Sequence, residues 1–321
     1  MKTYIVTGGA GFIGSALAKR LIEGGKKVYI LDDLSTGFEK NIPTGCIFYK
    51  VDISDRKRLF DLQFPDKVDC VFHLAAQSSG EASFDDPCRD IDVNYKATYN
   101  ILELCSRYNC ERFIYASSMS VYGDVKESEV SVSEEHSCKP VSCYGVNKLA
   151  SEKLTKMFVR KTNIKATILR LFNVYGPGQN MANMKQGMVS IYFSYLINNM
   201  PINVKGSIFR FRDFIYIDDV INVFIDCENR KEAYGEIFNL GTGVKTTVEG
   251  VLKIILKAYG NKDFDKWVYM HGSTSGDIFG LIADASKLKK ILKWEPKQNL
   301  ECGILKMKNW IEENSNSEVS K

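Results

Sequence analysis

A glycine-rich turn between the first predicted strand and the first predicted helix constrains the fold of this chain more than any other feature. The segment TGGAGFIG follows a short apolar run and places Gly8, Gly11 and Gly14 three residues apart. Glycines at this spacing allow a tight turn, a close backbone approach to a pyrophosphate and free N–H groups at the start of a helix. An ordinary strand-to-helix turn is the alternative. The turn therefore predicts a dinucleotide site.

An acidic residue after the second predicted strand supports that interpretation. Asp32 lies eighteen residues after Gly14, at a distance typical of the carboxylate that accepts a hydrogen bond from a ribose 2′-hydroxyl. A strand-end aspartate in a turn is the alternative. No arginine that could pair with a 2′-phosphate follows closely. The pattern therefore favours NAD over NADP.

Strands and helices alternate through the first half of the chain. The apolar runs TYIVTG, KVYILDD, CIFYKVDI, VDCVFHLAA and RFIYASS alternate with predicted helices at 12–23, 55–62 and 90–108, with KVYILDD and CIFYKVDI following one another directly. Strands separated by helices pair in parallel with right-handed crossovers, and continuously apolar strands suit a sheet covered on both faces. We therefore expect an α/β protein with a Rossmann-like doubly wound parallel sheet.

The second half is less regular and predicts a different organisation. A Gly- and Asn-rich loop, GPGQNMANMKQG, precedes a helix near 187–199 and short strands. We expect an NAD-binding domain over 1–172 that leaves room for later strands and helices to return to it. A smaller mixed α/β substrate-binding domain would span 173–312, and a polar, frayed tail 313–321.

Composition excludes several functional classes. The 321 residues are 45% hydrophobic and 26% charged with a formal net charge of +4, and no basic block suggests nucleic acid. No apolar run approaches membrane-spanning length, and the strand-like start leaves no room for a signal peptide, so we expect a cytoplasmic protein. The nine cysteines lack metal-ligand spacing and only three histidines are present, so we expect no metal.

A tyrosine and a lysine four residues apart form the candidate catalytic pair. In SCYGVNK, Tyr144 and Lys148 lie on one face if the stretch is helical. The apolar positions after Val146 recur at helical spacing, which supports a helix. The alternative is a partly buried tyrosine beside a surface lysine. The spacing alone does not separate the two.

A series of motifs resembles one family over nearly the whole chain. The motifs are, in order, TGGAGFIG, LDDLSTG, VDISD, HLAAQ, ASSMSVYG, YGVNK, LRLFNVYGPG, RFRDFIYIDDV and ADASKLKKILKWEP. The chain resembles an extended short-chain dehydrogenase/reductase of the nucleotide-sugar epimerase/dehydratase group. This resemblance implies NAD as cofactor, a nucleotide-diphosphate sugar as substrate and a homodimer built from the helices near 90–108 and 145–162.

The resemblance also implies a set of site residues. Tyr144, Lys148 and Ser118 would be catalytic, with the capping of backbone by Ser118 as the alternative. His73 would be a satisfied strand-end residue. Substrate contacts would come from Ser79, Ser118, Asn173, Lys205 and Arg212. The cofactor would contact Gly8, Gly11, Phe12, Ile13, Gly14, Asp32, Asp33, Leu34, Ser35, Thr36, Gly37, Asp52, Ile53, Leu74, Ala75, Ala76, Gln77, Asn94, Tyr144, Lys148 and Phe172.

The residues after Ser118 select among the reactions of the group. Relatives that eliminate water carry an Asp-Glu pair there, whereas this chain has Met119 and Ser120, which argues against a dehydratase. Cys143 leaves open a cysteine-based epimerisation. We expect a UDP-hexose-type 4-epimerase, which oxidises C4 transiently to a 4-keto sugar and reduces it again on the other face. A nucleotide-sugar dehydrogenase or ketoreductase and a cofactor-sensing protein are the alternatives.

Two positions depart from the pattern on the substrate side. Thr274 stands where many relatives place an arginine on the diphosphate, and Lys205 stands where many place an aromatic residue on the uracil. We therefore expect the diphosphate to depend on Arg212 and Lys205, or the base to differ from uracil. The alternative for Arg212 is an ion pair with Asp213.

Overall fold

Parallel strands dominate the structure of this protein. The structure, a computed structural model, describes residues 1–126, 129–272 and 278–319. Its strands are β1 Thr3–Thr7, β2 Lys27–Asp32, β3 Ile47–Lys50, β4 Cys70–His73, β5 Arg112–Ser118, β6 Ser131–Val132, β7 Lys165–Leu171, β8 Asn173–Tyr175, β9 Ile202–Lys205, β10 Phe211–Arg212, β11 Phe214–Tyr216, β12 Ile237–Leu240, β13 Thr246–Thr247, β14 Val268–His271 and β15 Ile282–Ala283.

Twelve helices occur in the described part of the chain. They are α1 Phe12–Glu23, α2 Arg56–Asp61, α3 Ala82–Asp85, α4 Pro87–Ile91, α5 Ala97–Arg107, α6 Cys143–Val159, α7 Met188–Ile197, α8 Ile217–Asn229, α9 Val248–Ala258, α10 Phe264–Trp267, α11 Ser286–Leu292 and α12 Leu300–Val319. Short 3₁₀ turns lie at Glu39–Asn41, Met119–Val121 and Lys231–Ala233, and a π-helical turn lies at Asp92–Lys96.

The central sheet has seven parallel strands in the order β3-β2-β1-β4-β5-β7-β12. Successive residues of β1 point to opposite faces: Tyr4 and Val6 pack in one buried cluster and Ile5 in another. The first cluster includes residues of α1 and α8, and the second includes residues of α5. Helices therefore cover both faces, which confirms the doubly wound α/β fold.

A late strand returns to the central sheet, as the sequence analysis allowed. Strand β12 pairs with β7 from Ile237 to Leu240, and α8 packs against α1. The second half of the chain also forms four small two-stranded pairs, β10-β13, β11-β8, β14-β9 and β15-β6. The last helix continues to Val319 and so includes most of the segment for which fraying was expected.

The glycine turn owes its shape to one left-handed residue and one close backbone contact. Gly8 has φ +71°, a conformation that L-residues rarely adopt. A Cβ on Gly14 would lie 2.1 Å from the carbonyl oxygen of Gly8. Any side chain at position 14 would therefore force the first turn of α1 away from β1.

The helix predicted at 90–108 is a continuous helical run of three parts. It starts at α4, where the Asp86 carboxylate caps the backbone N–H of Arg89 at 2.9 Å. A π-helical turn at Asp92–Lys96 then leads into α5. The turn carries the buried residue Asn94. Single π-helical turns are frequent at functional sites.

A buried ionic network lies behind the C-terminal end of β5. Arg170 on β7 donates to both carboxylate oxygens of Glu152 on α6, at 2.9 and 2.7 Å. Ser117 donates to the same carboxylate at 2.5 Å, and Arg170 also donates to the Tyr122 hydroxyl at 2.9 Å. Tyr122 in turn donates to the side chain of Asn239 on β12 at 2.6 Å. The network fixes α6 against three strands of the sheet.

Candidate functional site

One large cleft lies at the C-terminal ends of the parallel strands, with a cavity of about 790 Å³. The strand order reverses between β1 and β4, and ligands of open α/β sheets bind at such a switch point. The predicted site residues that line the cleft are Gly8, Gly11, Phe12, Ile13, Gly14, Asp32, Asp33, Ser35, Thr36, Asp52, Ile53, Leu74, Ala75, Ala76, Ser79, Ser118, Tyr144, Lys148, Phe172, Asn173, Lys205 and Arg212.

Four predicted cofactor residues lie behind this lining and hold it in place. Leu34 donates its backbone N–H to Asp32 at 2.8 Å. A Cβ on Gly37 would lie 2.8 Å from the backbone of Ala10, so the two segments approach closely. Gln77 and Asn94 both donate to the buried carboxylate of Asp90.

The turn before α1 has the features of a phosphate cradle. Gly11 is the N-cap of α1 and has no side chain that could cap the first N–H groups of the helix. These groups point towards the cleft end of the helix, where the macrodipole is positive. Gly8, Gly11 and Gly14 all line the cleft. The residues present therefore fit a dinucleotide pyrophosphate.

The Asp32 carboxylate organises the neighbouring rim of the cleft. It accepts backbone N–H groups from Ala10 at 3.0 Å and Leu34 at 2.8 Å. Burial raises its pKa, and these two hydrogen bonds oppose the rise. Asp32 thus links the glycine turn to the loop after β2, in addition to the ribose contact expected of it.

Sequence reasoning missed an arginine at this rim. Arg89 donates to Asp33 at 2.9 Å and to Asp52 at 2.7 Å, and all three line the cleft. Burial raises the pKa of Asp52, but hydrogen bonds from Ser54 and Arg89 outweigh it and leave the pKa lowered. Arg89 lies on α4, far from Asp32 in the sequence, so the residues that closely follow Asp32 do not reveal it.

Tyr144, Lys148 and Ser118 come together on the sheet side of the cleft. Helix α6 starts after Ser142, whose hydroxyl accepts the N–H of Gly145 at 3.1 Å, and the i,i+4 pair lies within its first turns. The Lys148 ammonium donates to the Ala116 carbonyl at 2.9 Å and lies 5.9 Å from the centre of the Tyr144 ring. Lys148 is 2% exposed, so it is not a surface lysine.

Burial opposes the charged forms of both members of this pair. It raises the pKa of Tyr144 to about 12, although a hydrogen bond with Ser118 favours the phenolate. It lowers the pKa of Lys148 to about 8, against the attraction of Asp90 and Glu152. Lys148 alone therefore does not hold Tyr144 as a phenolate.

Ser118 has both of the roles weighed for it from the sequence. Its hydroxyl accepts the backbone N–H of Ser120 at 3.1 Å and caps the turn Met119–Val121. It also lowers the pKa of Tyr144, against the effect of burial, and it lines the cleft. His73, by contrast, lies between the hydroxyls of Thr7 at 2.8 Å and Thr98 at 3.0 Å. Burial lowers the pKa of His73 to about 3, so it is the satisfied residue that the sequence predicted.

The opposite wall of the cleft carries arginines and amide acceptors. Arg212 donates to the carbonyl oxygens of Phe211 at 2.7 Å and Phe279 at 3.2 Å. Burial and the neighbouring Arg210 lower its pKa to about 10. The Asp213 carboxylate accepts hydrogen bonds from the backbone N–H groups of Thr242, Gly243 and Ala283. Thr274 lies outside the described residues.

Two buried amide oxygens in the cleft lining have no hydrogen-bond partner among the described residues. They are Oδ1 of Asn173 and Oε1 of Gln179. An unsatisfied buried acceptor is costly, and hydroxyl donors on a ligand would satisfy it. Sequence reasoning had selected Asn173 and missed Gln179.

A strap of polar contacts crosses the outer mouth of the cleft. Ser79 donates to the Lys185 carbonyl at 3.1 Å, and Gln186 donates to the Ser78 hydroxyl at 2.6 Å. Lys205 pairs with Glu81 at 3.2 Å. The hydroxyl of Ser79, a predicted substrate contact, is thus engaged with the protein. Lys205 lies at the rim with half of its side chain exposed.

Comparison with known proteins gives one consistent result. The sequence pattern of the NAD dependent epimerase/dehydratase family matches residues 4–241. A putative UDP-glucose 4-epimerase from Methanocaldococcus jannaschii is 35% identical, over 97% of this chain and 99% of the relative.

Solved structures agree over nearly the full length. A UDP-glucose 4-epimerase from Thermotoga maritima, crystallised with UDP-glucose, is 33% identical with a TM-score of 0.90, over 98% of this chain and 99% of that one. A Thermus thermophilus UDP-glucose 4-epimerase in complex with NAD is 31% identical with a TM-score of 0.87, over 97% and 99%. Within the described residues, no helix has the length and apolar character needed to cross a bilayer.

Replacing Asp32 tests the adenosine end of the cleft. We expect Asp32→Asn to weaken NAD binding by at least about tenfold, because a charged acceptor is lost. The preference for NAD over NADP should also fall, since the carboxylate repels a 2′-phosphate. Calorimetric titration with both dinucleotides measures the two effects, with the exposed Asp61→Asn as control. An unchanged NAD/NADP ratio would contradict this role.

Proposed function

Because the chain belongs to the NAD-dependent epimerase/dehydratase family, we propose that it is a nucleotide-sugar 4-epimerase whose substrate is a UDP-hexose. The observation that carries the proposal is the meeting of Tyr144, Lys148 and Ser118 in the cleft that also holds the glycine cradle. Met119 and Ser120 line the same cleft, and neither side chain can serve as the acid or base for loss of water.

The proposed reaction divides between the cofactor and the protein. A bound NAD would supply hydride transfer at C4 of the sugar, by way of a 4-keto sugar, and in its oxidised form a positive charge near Tyr144. Tyr144 accepts the proton of the C4 hydroxyl and later returns it. Ser118 shares the hydrogen bonds of that hydroxyl. Lys148 supplies a positive charge in the surroundings of the phenol oxygen. Its ammonium keeps its hydrogen bond to the Ala116 carbonyl.

Tyr144 can lose its proton only when a positive charge is present to stabilise the phenolate. With a pKa near 12 in the protein, a phenolate at pH 7 requires roughly 7 kcal/mol of differential stabilisation. That pKa already includes the effect of Lys148, so the remaining stabilisation has to come from the positive charge of a bound oxidised nicotinamide and from the bound substrate. The base is therefore formed together with the loaded site and is absent from the protein alone.

Arg212 is the proposed contact for the diphosphate of the substrate. Its guanidinium is buried next to Arg210, and both features disfavour its charge. A diphosphate bound between them would relieve this repulsion through charge-assisted hydrogen bonds. The acceptors of Asn173 and Gln179 would receive hydroxyl groups of the sugar nucleotide.

Tyr144→Phe tests the base. The ring keeps its packing and the hydroxyl is lost, so we expect kcat to fall by about 10³-fold while NAD binding and melting temperature stay near wild type. The assay follows interconversion of UDP-glucose and UDP-galactose by chromatography, with Tyr49→Phe as a matched control. Turnover within tenfold of wild type would remove Tyr144 from this role. Net production of reduced cofactor by the wild type would instead indicate a dehydrogenase.

Arg212→Lys tests the diphosphate contact. The lysine keeps a positive charge but loses the planar fork that binds two phosphate oxygens. We expect KM for the nucleotide sugar to rise by at least about tenfold, a loss of roughly 1.4 kcal/mol, with NAD affinity unchanged. Steady-state kinetics and NAD titration separate the two. A variant whose KM is normal but whose melting temperature drops would identify Arg212 as structural.

Two neighbouring helices support a homodimer. Ile91, Tyr95 and Tyr99 recur every four residues along α4, the π-helical turn and α5, and all are exposed. On α6, Val146 and Met157 are each 51% exposed and lie three helical turns apart on one face. The helices pack side by side, so their apolar residues form one face suited to a second copy of this chain.

The nine free cysteines favour a reducing compartment, and we place the enzyme in the cytoplasm.

Light scattering tests the dimer. We expect twice the mass of one chain at micromolar concentration, and the mass of a single chain for Tyr99→Arg combined with Met157→Arg, because charges would be buried in the interface. Leu305→Arg changes an exposed apolar residue elsewhere and should leave the mass unchanged. A monomeric wild type would contradict the proposal.

A further inference from the structure

A buried carboxylate next to the catalytic helix has no role in the chemistry described so far. Asp90 on α4 has no exposed surface. Its oxygens accept from the side-chain amides of Gln77 at 2.8 Å, Asn94 at 2.9 Å and Asn147 at 2.6 Å. Because an ionised carboxylate only accepts hydrogen bonds, all three amides turn their NH₂ groups towards it.

The partners of Asp90 are neutral, which distinguishes it from the other buried carboxylate near Lys148. Glu152 forms a bidentate ion pair with Arg170. Among the described residues, no lysine or arginine lies within ion-pair distance of Asp90. A buried carboxylate without a compensating charge is costly. The charge of Asp90 therefore needs a counterpart nearby.

Lys148 is a buried cation that the charge of Asp90 attracts. Asn147, which binds Asp90, directly precedes Lys148 on α6. The other titratable groups that face Lys148 are neutral or already paired: His73 on β4, Tyr115 on β5, Tyr144 on α6, and Glu152 with Arg170. Asp90 is thus the one described carboxylate near Lys148 that another cation does not neutralise.

We propose that Asp90 is a positioning residue that serves as the counter-charge of Lys148 and keeps its ammonium protonated within the buried site. The inference rests on the proposed function for the importance of a charged Lys148. Burial disfavours that charge, and an oxidised nicotinamide in the same cleft would disfavour it further. Asp90 offsets both effects, and its amide partners simultaneously fix Gln77 and Asn94 behind the cofactor cleft.

Asp90→Asn removes the charge and can keep the hydrogen bonds. Its amide oxygen can accept from Gln77 and Asn94, while its NH₂ donates to Asn147 after one flip of that amide. We expect the pKa of Lys148 to fall by about one pH unit, and the alkaline limb of the kcat profile to move down equally. NMR titration of isotope-labelled lysine measures the pKa in the full chain, with the Lys148 signal assigned by its absence in Lys148→Arg.

Two further variants make the test decisive. Asp90→Asn with Asn147→Asp moves the charge across the 2.6 Å hydrogen bond and should restore the titration of Lys148 to at least its wild-type midpoint. Asp92→Asn removes a half-exposed carboxylate that pairs with Lys96. This variant should leave the titration midpoint of Lys148 unchanged.

A wild-type midpoint in Asp90→Asn, or a lowered one in the double variant, overturns the proposal. If the single variant does not fold, the double variant alone decides. The titration requires no substrate, so it tests Asp90 even if turnover shows that the enzyme is not an epimerase.

Discussion

The ion pair between Glu152 and Arg170 is the interaction on which the arrangement of the site depends. It joins α6, which carries Tyr144 and Lys148, to β7, and through Ser117 it reaches the strand that ends at Ser118. Removing one partner of such a buried pair costs about 3–5 kcal/mol because the other charge is left uncompensated. The pair therefore contributes less to net stability than to fixing the position of α6 relative to β5 and β7.

Several charges around this site are paired in separate groups. Glu152 balances Arg170, and Arg89 lies between Asp33 and Asp52 at the outer rim. His73 remains uncharged between two threonine hydroxyls. Among the described charges close to Lys148, Asp90 is therefore the one left to act on its ionisation.

Local sequence patterns predicted the elements whose function depends on their own neighbours in the chain. The glycine turn depends on a contact between residues six apart in the chain. The pairing of Tyr144 with Lys148 depends on a single helical turn. Arg89 and Asp90 could not be found this way, because their partners are up to 57 residues distant. The raised pKa of Tyr144 in the protein alone cannot be read from a motif, because burial depends on the packing of the whole fold.

The return of β12 to the central sheet has a consequence for how the chain is made. Until residues 237–240 leave the ribosome, β7 presents an unpaired edge, and such edges favour association with other chains. Asn239, which accepts from Tyr122 and donates to the carbonyl of Val132, also arrives with this strand. The catalytic residues are all synthesised by residue 148, yet their supporting network closes only about ninety residues later. Nascent chains of intermediate length are therefore the form most dependent on chaperones.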